Sequence, residues 1–263
     1  MNVSLVVAAC TIAAVAAVRS TWSPCGVSML ATITPLAERG RGHRYRTTAT
    51  WFVAGSVLGG ASLGAVMALL AGVVGSLGAS PSQLASVAVV AGVVTVAADA
   101  RIFGFRLPAH HRQVNERWLD QFRPWVYGAG FGWQIGTGLA TYIKTCAVYL
   151  TMVLAALTGS PEVALLVGVL FGLVRGLAVF LGRRITSTAA LVDFHRRFTA
   201  ANRPALVTVI VCEAATTLAV LTVVSPWFGG PAAGLLSIVL VVWAIRHRQI
   251  TTTRLTADSV TVR

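Results

Sequence analysis

Charge is what this chain has least of. Asp, Glu, Lys and Arg make up 11% of its 263 residues, whereas a soluble domain carries about 25%. Hydrophobic residues reach 56% and mean hydropathy is +0.77. So little polar surface excludes a water-soluble globular protein and points to an all-α integral membrane protein with the lipid bilayer as its partner. Acid is scarcer still, with 8 acidic residues against 21 basic ones and a net charge of +13. Lysine is nearly absent: every basic residue is Arg except Lys144. The basic residues fall in short loops between apolar segments, which membrane topology explains, so no nucleic-acid partner is expected. Cysteine is sparse too. Cys10, Cys25, Cys146 and Cys212 all lie in apolar segments with no CxxC and no Cys/His spacing. That pattern excludes a zinc site and a secreted disulfide framework, and neither metal nor cofactor is expected. No basic residue precedes Val7-Ala8-Ala9-Cys10, so the N-terminus reads as the start of a membrane helix and not as a signal peptide. His43, His110, His111, His195 and His247 fall in loops or the tail, and read as solvated.

The stretch the chain is organised around is 19–36, and in particular Ser23-Pro24-Cys25-Gly26. Apolar sequence runs on both sides of it, well beyond the roughly 20 residues that one crossing helix needs. Pro24 removes a helix donor and Gly26 adds backbone freedom, so a break is predicted at the cysteine. Backbone opened at membrane depth survives only where protein or a water-filled cavity satisfies it. A thiol at such a break is reachable from a cavity.

Seven membrane segments follow from the apolar runs: 3–36, 50–77, 83–103, 126–157, 163–181, 204–224 and 232–244. The loops 38–46 and 183–203 are basic, as are the connection 104–125 and the tail, while the intervening turns hold Glu162 as their one charge. Basic loops stay cytoplasmic, so the expected orientation in the cell membrane is N-terminus outside and C-terminus inside. Segments one and four are both overlong and both carry a cysteine. The layout therefore predicts a first three-helix repeat over 1–103, a cytoplasmic amphipathic loop over 104–125, a second, inverted three-helix repeat over 126–224, and an extra helix with a cytoplasmic tail over 225–263. Transporter folds place their sites at such repeat interfaces, on discontinuous helices.

With Ser23-Pro24-Cys25 in the first unit and Lys144-Thr145-Cys146 in the second, this layout resembles the transmembrane thiol–disulfide reductant conductors, CcdA of cytochrome c biogenesis and the membrane domain of DsbD. The family brackets its cysteines as P-C-x-x-P; here only Pro24 fits that bracket. The resemblance implies two inverted three-helix units with Cys25 and Cys146 as a redox-active pair. It further implies a cytoplasmic thioredoxin-like reductant and an extracytoplasmic thioredoxin-like acceptor. Thiol–disulfide exchange needs a thiolate and a partner sulfur, and Lys144 could stabilise the thiolate of Cys146 if the helix unwinds between them. Its other reading is a lysine snorkelling to the interface.

Two further charges fall deep in apolar segments, Arg175 and Glu213. Ionisable groups at such depth are functional candidates, or a structural pair that neutralises itself between segments five and six. Asp99 and Arg101 read as interface residues. Gly55, Gly59, Gly60 and Gly64 give small-residue spacing suited to close helix packing. A second functional class on the same layout is a small-solute or anion transporter with Arg175 and Lys144 at its site. A third is a non-catalytic membrane assembly factor.

Overall fold

A computed structural model describes residues 3–105, 121–140 and 142–224. The seventh segment, the tail, His110, His111 and His247 lie outside them. Every regular element among the described residues is a helix. In chain order these are α1 (Val3–Ser20), α2 (Pro24–Thr32), α3 (Pro35–Gly40), α4 (Tyr45–Ser76), α5 (Pro81–Asp99), α6 (Pro124–Gly136), α7 (Ala147–Leu157), α8 (Pro161–Leu177) and α9 (Thr188–Val224), with short 3₁₀ turns after α5 and α8. Five helical stretches are long and apolar enough to cross a membrane: Val3–Ser20, Tyr45–Ser76, Pro81–Asp99, Pro161–Arg184 and Thr188–Thr222. Their outward faces carry exposed Leu58, Leu69, Val73, Val90 and Leu166, the reverse of a water-facing surface.

Start signals are written locally. Ser80 accepts from the Gln83 amide, and the Gln83 side chain accepts from the Ser80 amide in return, which closes a capping box at the head of α5. Pro81, Pro124 and Pro161 each open a helix, where the missing N–H costs nothing.

α4 is the central post, packed against α6 on one side and α8 on the other. Its small residues make that possible. An added Cβ on Gly55 would meet the Ala129 carbonyl oxygen at 2.1 Å, and one on Gly60 would meet the Gly168 oxygen at 2.4 Å. The close packing expected of Gly55, Gly59, Gly60 and Gly64 is therefore present, and it needs glycine on the partner helices as well. α5 packs on α9, while α1 packs on α7, α8 and α9. At one end Gly75 touches Gly159. At the other, Tyr45 donates to the Val179 carbonyl at 3.0 Å and the Leu36 amide to the Ile185 carbonyl at 3.1 Å. The basic stretches 38–46 and 178–185 thus gather at one end of the bundle.

Two boundaries differ from the sequence reading. The basic loop expected over 183–203 is mostly helix: α9 runs unbroken from Thr188 and contains Pro204. Trp22 stacks on Phe198 with ring centroids 4.6 Å apart, and its indole N–H donates to the Phe198 carbonyl at 2.7 Å. That contact anchors the polar half of the helix to the bundle. The loop 38–46 is not wholly solvated either. Glu38 is fully buried, accepting from Tyr127 at 2.7 and 2.9 Å, from Thr48 at 2.5 Å and from Arg41 at 3.1 Å. His43 is half-buried against the Tyr127 hydroxyl at 3.3 Å, and His195 lies within α9 with Nδ1 3.0 Å from the Leu191 oxygen. Neither histidine is simply solvated.

Candidate functional site

The first and fourth segments are each interrupted, and each cysteine stands at the head of the helix that follows. In the first, α1 ends at Ser20 and α2 begins at Pro24. Ser23 is the N-cap of α2, its hydroxyl accepting from the Gly26 amide at 3.2 Å, and Pro24 takes the first helical position. The break therefore falls just before the cysteine. Gly26 contributes something other than backbone freedom. It is helical, and an added Cβ would lie 2.2 Å from the Thr21 carbonyl oxygen. Its missing side chain lets the chain fold back across the break. Cys25 is 4% exposed.

The second interruption is longer. α6 ends at Gly136, α7 starts at Ala147, and Cys146 is the N-cap. Gly138 has φ +67, and an added Cβ would meet the Phe171 ring at 2.8 Å, so both conformation and space call for glycine there. The residues just before Cys146 are non-helical. Lys144 therefore occupies the unwound backbone that its proposed role needed.

The head of α7 is held from another helix. Asp99, the last residue of α5, accepts from the Cys146 amide at 2.8 Å through Oδ1 and from the Thr145 hydroxyl through Oδ2. A carboxylate on the first amides of a helix satisfies orphan donors and suits the positive end of the dipole. Asp99, at the end of α5, is thus also a structural cap of the break. Arg19 interacts with Asp99, and Lys144 with Arg19 and Arg101. Arg19 is 3% exposed and donates to the Asn202 side-chain oxygen at 2.7 Å. Asp99, Thr145, Arg19 and Asn202 were not singled out by sequence reasoning as site residues. The one available signal was rarity: an acid adjoining an apolar run in a chain with 8 acids.

Arg175 and Glu213 do not form the expected pair. Both are almost fully buried, yet among the described residues no ion pair joins them, and neither Arg175's guanidinium nitrogens nor Glu213's carboxylate oxygens meet a hydrogen-bond partner within bonding geometry. Arg175 lies over the Phe171 ring, 5.8 Å from its centroid, and beside Cys25. Glu213 lies beside Thr95 and Asp99. The two charges therefore belong to different neighbourhoods, one by each break. Cys25 and Cys146 are not disulfide-bonded.

No protein-family model matches the chain, and no solved structure matches it. It is similar to methylamine utilization proteins MauF. That of Paracoccus denitrificans is 37% identical over 167 residues, covering 61% of this chain and 58% of the relative. Those of Paracoccus versutus and Methylorubrum extorquens are each 29% identical, over 161 and 149 residues, covering 61% and 56% of this chain. The chain spans somewhat more than half the length of the curated relatives it matches.

These relatives overturn the reading as a thiol–disulfide reductant conductor. All five matching relatives carry the methylamine utilization name and none is a CcdA or DsbD protein. Cytochrome c biogenesis, thiol–disulfide exchange and the thioredoxin-like reductant and acceptor are accordingly without support. The physical reason for the error is that the interruptions follow from backbone needs and do not themselves require a thiol. Ser23, Pro24 and Gly26 build the first break, and Asp99 caps residue 146 through its amide, not its sulfur.

Proposed function

We propose that this protein is a MauF-like membrane protein that serves methylamine utilization as an accessory or assembly factor, with the two helix breaks as its working site. The observation that carries the reading is the similarity to five methylamine utilization proteins, reaching 37% identity. The geometry adds a reason to look at the breaks. Buried Arg19, half-buried Asp99 and the head of α7 form a polar centre within the bundle, and irregular backbone in a membrane bundle is retained where it serves a site.

The finer architecture belongs to the same reading. Two inverted units, 1–103 and 126–224, are joined by 104–125 and followed by a further helix and tail over 225–263. Their N-terminus lies outside and their basic ends face the cytoplasm. The gathering of the basic stretches at one end supports this, as does the interrupted helix that opens each unit.

The test is growth. In a bacterium lacking its own MauF, this chain should restore growth on methylamine and leave growth on other carbon sources unchanged. Absence of rescue by a chain that reaches the membrane would contradict the proposal.

A further inference from the structure

We infer that Arg175 anchors a binding site for a single carboxylate group, set between the two helix breaks. The guanidinium has five N–H donors in a rigid fork and cannot shed its charge at ordinary pH. Here it is 2% exposed, and Nε, Nη1 and Nη2 have no hydrogen-bond partner among the described residues. A buried, uncompensated charge is too costly to persist as a packing element. What the protein itself supplies is the Phe171 ring at 5.8 Å, which covers one face of the guanidinium and leaves the in-plane donors unused. Among the described residues, the titratable group beside it is the Cys25 thiol. Cys25 stands in the first turn of the nine-residue α2, whose dipole presents its positive end there. The Phe171 ring also touches Gly138 in the second break.

The unsatisfied buried fork is thus what favours a negative ligand, since the start of α2 already has its Gly26 amide held by the Ser23 hydroxyl. The fork's charge is that of one arginine, which matches a monoanion and falls short of a phosphate dianion. The planar fork fits a carboxylate through two parallel hydrogen bonds. This site stands apart from the methylamine reading, since the growth test can fail while the following titration succeeds.

The experiment uses the full chain in phosphatidylcholine nanodiscs, which hold no anionic headgroup, with acetate as the probe at constant ionic strength against chloride. Thermal unfolding should shift upward and saturate with acetate, because a ligand of the folded state stabilises it by mass action. Phosphate should give no larger shift. Arg175→Met should abolish the acetate response while raising or preserving the midpoint in acetate-free buffer, since it removes an uncompensated charge. Arg175→Lys should need about tenfold more acetate, having lost the bidentate fork. The inference is overturned if the wild type shows no saturable shift, or if phosphate outperforms acetate. It is also overturned if Arg175→Met keeps the response, or if that variant is less stable without acetate, which would make the guanidinium a support of the fold.

Discussion

The two helix breaks interrupt the chain by opposite means. At the first, everything needed lies within six residues: Ser23 caps the new helix, Pro24 occupies its first position, and Gly26 admits the Thr21 carbonyl. At the second, no proline opens α7, and the local contribution is the Thr145 hydroxyl, which accepts from the Ala147 amide at 3.3 Å. The cap comes from Asp99 on α5, 47 residues away in sequence, with Thr145 bridging. A self-contained break is a property of local sequence, whereas a break capped from a neighbour exists only in the folded bundle. The second should therefore be the more sensitive to whatever disturbs tertiary packing.

That contrast can be strained in a graded way, each variant read as thermal unfolding of the detergent-solubilised chain. Glu38→Ala should have the largest effect, about 3 kcal/mol, because it strands the Tyr127 and Thr48 hydroxyls and the Arg41 guanidinium. Its carboxylate ties α3, just downstream of the first break, to α6, just upstream of the second, so it should loosen both. Asp99→Ala should follow at about 2 kcal/mol, since it removes an acceptor that serves two donors. Asp99→Asn should lose less, keeping one carbonyl oxygen for the Cys146 amide. Gly26→Ala should cost about 1–3 kcal/mol, as backbone must shift to clear a 2.2 Å contact. Ser23→Ala should be the mildest, about 1 kcal/mol for one lost cap. Combining Asp99→Ala with Ser23→Ala should give additive losses, the two caps sharing no partner. Asp99→Ala with Thr145→Val should be clearly less than additive. Additive losses in the second pair would mean that the Asp99 cap is not a unit.

Which parts were legible in the sequence follows from the same distinction. The apolar runs, the break at Pro24 and the small-residue seam of α4 are written in local pattern, and they were read from it. The split of the fourth segment was half-legible, since its length and cysteine were visible but its cap was not. The capping role of Asp99 was hidden because its partners are distant in the chain. Glu38 reads only as part of a basic loop because it sits among arginines, whereas Tyr127 and Thr48 reach it from other helices. The expected Arg175–Glu213 pair failed for a similar reason. Depth in a segment says that a charge needs compensation, but it does not say from which neighbour. The functional reading failed one level higher, where a cysteine at each break was taken for chemistry that the breaks do not require.

The most direct test of the central claim, that the breaks matter as backbone architecture under the proposed role in methylamine utilization, is growth of the MauF-lacking strain carrying Cys25→Ser/Cys146→Ser. Serine keeps the amide of residue 146 that Asp99 holds and is close to cysteine in size. The expected result is growth on methylamine at the rate given by the unaltered chain. Loss of growth, with the double variant present in the membrane at normal level, would contradict it.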